Sequence, residues 1–411
     1  MGRSPPDGRG AHGAGGAGGV RILLLAPHPF YQARGTPIAV KTVLEFLSER
    51  GDTVDVLTYA EGSDVSIPNC TIHRIPRLPG LRGIRPGFSF KKVLSDVLMV
   101  GSCLRLVRRN RYDLIHAVEE SAFIAAAMRA ISGVPYVYDM DSSLAEQLVD
   151  AYPALHFAFP ALRRMEALAI RRSSGVLAVC AALQDVALAH DPGKLVGRVE
   201  DTTLLEEPKV AGGNGRSPLP ATEGGPVAMY VGNLESYQGI DLLLEGFRHT
   251  LDRLPQARLV IVGGNDTDIA RYRARAQRLG IDGAVVFAGP RPIGMLPDLL
   301  RQADVLVSPR LKGLNTPMKI YSYLDSGSAV LATRLRTHTQ VLDDGIAYLV
   351  DPEPAALGHG LAELMADPDL RARLASSAKA YVQREHTPEA ARRKLASFYS
   401  TMESRVRRMQ V

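Results

Sequence analysis

Trp is absent from this chain of 411 residues, cysteine is scarce, and aromatic residues make up only 6% of it. The three cysteines, Cys70, Cys103 and Cys180, lie far apart and form no CxxC pair. We therefore expect neither a disulfide framework nor a zinc site, and the cysteine content indicates a reducing compartment. A strong excess of one charge is missing too. The 49 basic and 43 acidic residues leave a net charge of +6, which is too small to indicate a nucleic-acid partner.

Long hydrophobic runs are also missing. No segment approaches the ~18 consecutive apolar residues that a membrane-spanning helix needs. The first apolar run, at 22–26, is too short for the core of a signal peptide. We therefore expect a cytoplasmic protein, with at most a peripheral contact on the inner face of the cytoplasmic membrane. Hydrophobic residues still make up 46% of the chain, which is enough for two or three domains of about 150 residues each.

Residues 1–19 form a Gly-rich tail that we expect to be disordered, because it has too few apolar side chains to offset the entropy of ordering. The tail contains a GxGxxG at Gly13, Gly15 and Gly18. A dinucleotide-binding loop follows a strand and begins a helix, whereas this one precedes the first predicted strand. We therefore interpret it as tail, and an NAD-dependent oxidoreductase is disfavoured.

The rest of the chain alternates between short apolar strands and helical patterns. In the first half, strands are predicted at 20–26, 53–59, 112–117, 135–138 and 175–179, and helices at 38–49 and 121–131. In the second half, strands are predicted at 227–233, 258–264, 284–289, 304–309 and 329–333, and helices at 240–251, 268–279, 295–302 and 317–326. Nearly continuous apolar strands separated by helices indicate α/β domains, each with a parallel sheet covered on both faces.

These patterns predict two Rossmann-like, doubly wound domains. The first covers 20–205 and the second 227–385, and the Gly- and Pro-rich segment 206–226 reads as a linker between them. A C-terminal helix at 386–411 is expected to pack back on the first domain. Ligands in sheets of this kind bind beyond the carboxyl ends of the strands. The cleft between the two halves is therefore the expected site.

The segment 308–333 (SPRLKGLNTPMKIYSYLDSGSAVLAT) points most clearly to a ligand. Thr316 suits a helix cap, Pro317 the first helical position and Gly327 the C-terminal stop. Lys319 then falls in the first turn, where a cation opposes the helix dipole at a cost of ~0.3–1 kcal/mol. A bound phosphate would compensate for that cost. The alternative is an exposed lysine that tolerates the dipole.

This segment and four others resemble the family 4 glycosyltransferases, which have the GT-B fold. The others are VAMYVGNLESYQGIDLLLEGF (227–247), RLVIVGG (258–264), VVFAG (285–289) and LLRQADVLVSP (299–309). Five blocks in the same order and at similar spacing extend the resemblance over roughly 21–400. It implies two Rossmann-like domains that face a central cleft, with a nucleotide-sugar in the second and an acceptor in the first.

The activity that this resemblance implies is that of a retaining hexosyltransferase. A sugar moves from a nucleotide-sugar to a lipid-linked or glycan acceptor, without a metal or any other cofactor. The departing diphosphate accepts the acceptor's proton, and the protein supplies positioning and charge stabilisation. The residues expected to act in catalysis are Lys319, Arg310, Asp139 and Asp141. Those expected to bind the donor are Gly232, Asn233, Gly263, Asn315, Thr316, Met318, Ser322 and His338.

The chain departs from the family at the donor site. Family members often carry two glutamates eight residues apart, the second of which contacts the ribose; here Leu314 and Ser322 occupy those positions. The family also usually places Arg and Lys in the loop after the first strand of the second half, where this chain has Asn233 and Gln238. More of the leaving-group charge is therefore expected to fall on Lys319 and its neighbours.

Two loops of the first half carry candidate acceptor-binding residues. One follows the first strand, where family members have a Gly-rich loop, and the other joins a strand end to a helix start. The candidates are His28, Arg34, Gly35 and Thr36 in the first loop and His116, Glu119 and Glu120 in the second. The alternatives are a purely structural turn at Gly35 and ordinary helix capping by the two glutamates.

Asp139 and Asp141 follow the next predicted strand. In GT-A enzymes a DxD of this form holds a divalent metal. In GT-B proteins, which the chain resembles, the corresponding strand end supplies acceptor-side groups and often a histidine. We expect the two carboxylates to orient the acceptor hydroxyl or to stabilise positive charge at the anomeric carbon.

Basic residues are concentrated in one segment. Eight of them lie between Arg82 and Arg111, with Asp96 as the one acid, and apolar residues recur there at helical spacing. A basic amphipathic helix of this kind can rest on an anionic membrane surface. It can equally be a crossover helix that packs its apolar face on the sheet.

Two rival functions stay open at this point. The missing ribose glutamate and phosphate cations favour a non-catalytic GT-B scaffold. Another nucleotide-sugar enzyme, such as an epimerase, would require a stronger acid and base set in the second half than Arg310, Lys319 and His338 provide.

Overall fold

The computed structural model describes residues 19–32, 35–79, 83, 89–205 and 225–410. The tail with its GxGxxG, the candidate Arg34 and nearly all of the predicted linker lie outside the described residues. So do Arg82 and Arg85, the first bases of the predicted basic helix.

The first domain contains seven parallel strands in the order β3-β2-β1-β4-β5-β6-β7. They are β1 (Arg21–Ala26), β2 (Thr53–Thr58), β3 (Cys70–Arg74), β4 (Leu114–Val118), β5 (Tyr136–Met140), β6 (Gly175–Ala178) and β7 (Val196–Arg198). The helices are α1 (Gly35–Glu49), α2 (Phe90–Arg109), α3 (Ser121–Ser132), α4 (Leu144–Ala151), α5 (Phe159–Arg172) and α6 (Ala181–His190).

The sheet of the first domain is covered on both faces, which is why its central strands are apolar throughout. On β1, Leu23 packs with Met99 of α2, whereas Ile22 packs with Leu44 of α1 on the opposite face. Helices α2, α3, α5 and α6 share the first of these two cores. Successive residues of a strand point to opposite faces, so one strand serves both.

The second domain contains six parallel strands in the order β10-β9-β8-β11-β12-β13. They are β8 (Val227–Val231), β9 (Arg258–Val262), β10 (Val285–Gly289), β11 (Val305–Ser308), β12 (Ala329–Thr333) and β13 (Tyr348–Val350). The helices are α7 (Ile240–Leu251), α8 (Asp266–Arg278), α9 (Leu296–Leu300), α10 (Lys319–Asp325), α11 (Arg336–Thr339), α12 (Pro354–Ala366) and α13 (Pro368–Glu385). The prediction of two Rossmann-like, parallel-sheet domains is confirmed.

The last helix, α14 (Pro388–Gln410), lies against the first domain although it follows the second in sequence. Its Leu395, Phe398 and Tyr399 are buried in the same core as α1 and β1. Phe398 closes this packing so tightly that a Cβ at Gly197 would lie 2.6 Å from its ring.

The start of α10 differs from the prediction. The helix begins at Lys319, two residues later than expected, and Thr316 makes no capping hydrogen bond to it. Pro317 and Met318 form a turn in which the Ile320 N–H reaches the carbonyl of Pro317. The stop at Gly327 is as predicted, with φ of +86°. With only seven helical residues, α10 is short, and the charge available to an anion comes from the Lys319 side chain.

Candidate functional site

The two domains meet in a cleft at the carboxyl ends of their strands. Across it, the N–H of Ala182 donates to Oε1 of Gln340 at 3.0 Å, and Arg336 pairs with Asp185 at 2.5 Å. Gln340 also donates to the carbonyl of Leu314 at 2.8 Å. Residues of the first and second domains therefore face one another across this cleft.

Lys319 is a half-buried cation. Its Nζ lies 3.8 Å from the centre of the Tyr230 ring and 3.2 Å from Oε1 of Gln238. Within the described part of the chain it forms no ion pair. Burial, followed by the charge of Arg310, lowers the pKa of the Lys319 ammonium well below its usual range. An anion placed here would relieve both effects.

Arg310 is a second cation of the same kind, only 8% exposed. Its Nε donates to the carbonyl of Lys312 at 2.6 Å, its Nη2 donates to Oδ1 of Asn315 at 3.0 Å, and its guanidinium lies 5.2 Å from the Tyr237 ring centre. Burial lowers its pKa. Gly313 is required by this packing, because a Cβ there would lie 2.2 Å from Nη2 and its φ is +110°.

Gly232 and Gly263 bring two loops together beside Lys319. A Cβ on Gly232 would lie 3.1 Å from Nζ of Lys319, and one on Gly263 would lie 2.0 Å from the Gly232 carbonyl oxygen. Both residues have positive φ, so glycine is required on conformational grounds as well. Asn233 is exposed at the mouth of the same loop, and its carbonyl accepts from the Tyr230 hydroxyl at 2.6 Å.

His338 is fully buried behind the donor loop, not exposed on it. One ring nitrogen lies 2.9 Å from Oγ of Ser308, and the other lies 2.8 Å from the carbonyl oxygen of Thr333. Burial lowers its pKa to about 4, so the ring is neutral at neutral pH. Thr337 on the same helix donates to the carbonyl of Asn315 at 2.7 Å. The α11 helix therefore supports the loop that carries Asn315.

The three remaining donor-side candidates lie nearer the hinge. The hydroxyl of Ser322 accepts from the N–H of Leu204 at 3.0 Å, which ties α10 to the segment that leaves the first domain. Met318 lines a cavity together with acidic residues of the first domain. Thr316 is buried, and its hydroxyl makes no hydrogen bond in the described residues.

The acceptor side is rich in carboxyl groups. Asp139, Asp141 and Asp201 line the same cavity as Met318. The empty volume of this cavity, which opens to solvent, is about 540 Å³. Burial, then the charges of Asp139 and Glu119, raise the pKa of Asp141 well above its usual range. Burial, then Asp139, raise the pKa of Asp201 to about 7. A carboxyl group whose pKa is raised keeps its proton to a higher pH, and in that form it can both donate to and accept from the hydroxyls of a sugar.

Glu119 and Glu120 lie between β4 and α3. Glu119 has φ of +49°, a left-handed conformation that costs a non-glycine residue about 1–2 kcal/mol. Burial, then the charge of Glu120, raise its pKa, and a hydrogen bond from Thr36 partly opposes the rise. Glu120 pairs with Lys92 of α2 at 2.7 Å. Of the two, Glu119 is thus the carboxyl group held beside Asp141 and Thr36.

Two other first-half candidates make contacts within the first domain, and a third begins a helix. The carbonyl of His28 accepts from the Thr58 hydroxyl at 2.6 Å, which joins the loop after β1 to β2. His116 is fully buried, with Asp139 on one side and Tyr399 of α14 on the other. Gly35 begins α1 with φ of +26°, and nothing lies within 4 Å of the position of its absent Cβ.

Three residues in or behind the cleft were not anticipated from the sequence. Tyr230 reads as an ordinary core residue of β8, Asp201 follows a strand that was not predicted, and Tyr399 lies in a distant helix. The described residues contain no group of three or more His, Cys, Asp or Glu that could hold a metal ion. None of the described helices is long and apolar enough to cross a membrane.

Known proteins match the chain along most of its length. Residues 214–381 match the glycosyl transferases group 1 family, and residues 34–196 match the glycosyl transferase 4-like domain. The D-inositol 3-phosphate glycosyltransferase of Corynebacterium jeikeium (strain K411) is 27% identical over 391 residues, covering 86% of this chain and 90% of that protein. The phosphatidyl-myo-inositol mannosyltransferase of Mycobacterium leprae (strain TN) is 24% identical over 370 residues, covering 89% and 92%.

Solved structures share the arrangement of the two domains. The sucrose-phosphate synthase from Thermosynechococcus elongatus superposes with a TM-score of 0.76 at 20% identity, over 94% of this chain and 99% of that one. At that identity the likeness concerns the fold alone.

Proposed function

Since the chain belongs to the group 1 glycosyltransferases, with a glycosyl transferase 4-like first half and the GT-B fold, we propose that it is a retaining hexosyltransferase. The sugar comes from a nucleotide-sugar and goes to a lipid-linked or glycan acceptor. The observation that carries the donor half of this proposal is the pair Lys319 and Arg310. Arg310 is buried and Lys319 is half-buried, neither has a carboxylate partner among the described residues, and two such cations match the charge of a diphosphate.

The reaction needs few protein groups. As the bond between the anomeric carbon and the diphosphate oxygen breaks, negative charge grows on the leaving group beside Lys319 and Arg310. The acceptor hydroxyl attacks from the same face, and its proton passes to the departing phosphate oxygen. Asp139 and Asp141 orient that hydroxyl and stabilise positive charge at the anomeric carbon. Retention follows from attack on the leaving group's own face.

The two cations support a donor site that works without a metal. A divalent ion in such a site would neutralise the diphosphate, which is the role that Lys319 and Arg310 would have here. Gln238 stands where the family usually has a cation, and its amide oxygen accepts from Lys319. The neighbouring glutamine therefore positions Lys319 and adds no charge of its own.

The acceptor is proposed to present uncharged hydroxyls to the cleft. Three aspartates line the cavity on that side, and they would repel a phosphate at the reacting end of the acceptor. The two relatives are named for inositol-containing acceptors, one phosphorylated and one lipid-linked. A lipid-linked glycan or polyol fits the cavity if its hydroxyls hydrogen-bond to the carboxyl groups and its phosphate lies outside.

A membrane contact on the cytoplasmic side is proposed from the outer surface of the first domain. We define this outer surface by α2, α3 and α5, whose inner faces share one core. On α2, Met99 and Cys103 are buried, whereas Phe90 is 82% exposed and Val97 61% exposed. The helix thus packs on the sheet, as a crossover helix does, and also leaves an apolar stripe outward, which supports the proposed membrane contact.

The outer surface carries further exposed apolar side chains on α2 and on the neighbouring helices, flanked by bases. The apolar residues are Val93, Val100, Ile131, Met165 and Leu168, and the exposed bases are Lys91, Arg105, Arg108, Arg109, Arg163 and Arg164. Apolar side chains with a basic rim fit the interface of an anionic bilayer.

The donor assignment is tested by thermal shift with UDP, GDP, ADP and TDP and their common sugars, with and without EDTA. A ligand that binds only the folded state raises the melting temperature. We expect one nucleotide to stand out and EDTA to have no effect. NMR of the product made from that donor then reports the anomeric configuration. A flat panel would favour the non-catalytic scaffold, and an inverted product would refute retention.

The membrane contact is tested by sedimentation with liposomes of phosphatidylglycerol or of phosphatidylcholine alone. We expect the protein to sediment with the anionic vesicles at low salt and the double variant Phe90→Asp, Val97→Asp to stay in solution. Ile293→Asp, a change of an exposed apolar residue in the second domain, is the control. Equal sedimentation of all three proteins, or none with the anionic vesicles, would remove the lipid surface from the proposal.

A further inference from the structure

Three side chains from three elements form a chain of hydrogen bonds that ends at the cleft. The hydroxyl of Tyr399, on α14, lies 2.6 Å from Nδ1 of His116 on β4. Nε2 of His116 lies 2.9 Å from Oδ2 of Asp139, at the end of β5. Tyr399 and His116 are both fully buried, whereas Asp139 lines the cavity on the acceptor side.

The donors and acceptors in this chain follow from the chemistry of its ends. An ionised Asp139 can only accept, so Nε2 of His116 carries the proton and donates to it. In a neutral imidazole the other nitrogen then accepts from the Tyr399 hydroxyl, whereas in an imidazolium it donates to the Tyr399 oxygen. The phenol keeps its proton in both, in agreement with a pKa raised by burial and then by the charge of Asp139. In both arrangements Nε2 of His116 carries the proton that bonds to Asp139.

That hydrogen bond fixes Asp139. With Oδ2 held by the His116 ring, Oδ1 is the oxygen that faces a substrate in the cavity. The ring itself cannot turn without leaving Nδ1 unpaired in the core, which costs about 1–3 kcal/mol. The backbone supports the same position, since the Glu119 N–H donates to the carbonyl of Asp139 at 2.9 Å.

We propose that Tyr399 is a positioning residue for glycosyl transfer, acting through His116 to aim the carboxylate of Asp139 at the acceptor. The inference rests on the proposed function, because it takes Asp139 as the group that orients the acceptor. It gives α14 a role at the site as well as in packing. This helix follows the second domain in sequence, yet its Tyr399 is the last member of a hydrogen-bond chain in the first domain.

The charged groups around Tyr399 are arranged in pairs. Arg50 lies 4.6 Å from the centre of its ring and pairs with Asp52 at 2.6 Å and with Glu403 at 2.8 Å. Together with Asp139, these are the charges that act on Tyr399. On the side away from the cleft, Arg50 is paired with both carboxylates. Replacing the hydroxyl therefore leaves them in place.

Tyr399→Phe tests the proposal, with Tyr136→Phe as the matched control. Tyr136 is an equally buried tyrosine of the same domain, and its hydroxyl donates to the carbonyl of Ala169 on the far face of the sheet. Both variants lose one buried hydrogen bond, but only one of these bonds leads to Asp139. We expect kcat of Tyr399→Phe to fall about tenfold or more with the donor KM unchanged, and kcat of Tyr136→Phe to stay within twofold of wild type.

Repeating the Tyr399→Phe substitution in a His116→Gln variant distinguishes a positioning role from a general loss of structure. In His116→Gln, the side-chain amide can still donate to Asp139, while the nitrogen that meets Tyr399 is gone. Adding Tyr399→Phe to this variant should change kcat less than twofold. If the double variant loses a further tenfold, or if Tyr399→Phe keeps the kcat of the Tyr136→Phe control, the proposal is wrong.

An NMR measurement keeps this result distinct from a failure of the proposed function. The ring nitrogens of His116, labelled with ¹⁵N, should report a proton on Nε2 in the wild type. The Nδ1 resonance should shift in Tyr399→Phe and not in Tyr136→Phe. Absence of that shift overturns the hydrogen-bond chain even in a protein that turns over no donor. Absence of turnover in the wild type with every donor, by contrast, refutes the transferase itself.

Discussion

The ammonium of Lys319 lies 3.8 Å from the centre of the Tyr230 ring, so this cation of the cleft is held by an aromatic face and one amide oxygen. Neither partner neutralises its charge. A cation–π contact contributes about 0.5–2 kcal/mol, well below the cost of burying an unpaired charge. Lys319 therefore lowers the stability of the unliganded protein, and its charge is available to an anion.

Lys319→Met separates that functional role from stability. We expect turnover to fall at least about 100-fold, because a charge that stabilises the leaving group is lost. We expect the melting temperature of the free protein to stay level or rise, since an unmatched cation leaves a half-buried position. Steady-state kinetics and thermal melts measure the two effects. Lys312→Met, at an exposed position on the preceding loop, serves as the control, and normal activity in Lys319→Met would refute the donor site.

Binding of a nucleoside diphosphate should take up protons. Burial and Arg310 depress the pKa of Lys319 in the free protein. A bound diphosphate favours the charged form and raises that pKa, so between the two values the complex holds more protons than its parts. Calorimetric titrations at pH 8–9 in buffers of different ionisation enthalpy measure the uptake. It should vanish in Lys319→Met, and proton release in the wild type would contradict the assignment.

Asp201 should make the folded state less stable as the pH rises through the acid range. Its pKa is raised from 3.8 to about 7. Between these values the unfolded chain has lost the proton and the folded chain retains it, so stability falls as the pH rises from about 4 to 7. Asp201→Asn should therefore match the wild type near pH 4 and be more stable by about 4 kcal/mol at pH 8, at about 1.36 kcal/mol for each unit of the rise. Thermal melts across this range measure the difference.

The control for that experiment is Asp282→Asn, which removes an exposed carboxylate of the second domain. Its melting temperature should differ from the wild type by the same small amount at both ends of the pH range. If Asp201→Asn behaves in the same way, the carboxyl group is not held in the environment that the cleft gives it.

The fold could be predicted well where strands are central and less well at the edges of the sheets, where of four strands only β10 was predicted. The predicted strand 329–333 matches β12 at both ends, because a buried central strand is apolar throughout. The strands β3, β7 and β13 were missed, and each is an edge strand of its sheet. β3 reads CTIHR, with no fully buried residue. An edge strand with one face to water lacks the continuous apolar run on which the prediction depended.

The candidate site could be predicted to the extent that its chemistry is local in sequence. Lys319 and Arg310 lie on one short segment with recognisable loop residues, and the structure brings them together. Asp201 was missed because it follows an edge strand that was itself missed. Tyr399 and His116 are 283 residues apart, and no periodic pattern links them. Contacts that depend on the return of α14 to the first domain require the tertiary structure.

Ser322 offers the sharpest test of how far the family resemblance applies at the donor site. It occupies the position at which family members often have the ribose-binding glutamate, yet its hydroxyl accepts from the Leu204 N–H at 3.0 Å. Next to it, the Thr203 hydroxyl donates to Oδ2 of Asp325 at 2.9 Å, so the two hydroxyls together connect α10 to the hinge.

We therefore expect Ser322→Ala to lower the stability of the fold by about 1 kcal/mol and to leave donor affinity within twofold. Thr203→Val, which removes the neighbouring tie, should do the same. Melting temperatures and the dissociation constant of the donor nucleotide measure both. A tenfold loss of nucleotide affinity in Ser322→Ala alone, without a change in melting temperature, would instead make Ser322 a ribose ligand, and the hinge contact would then belong to the unliganded cleft.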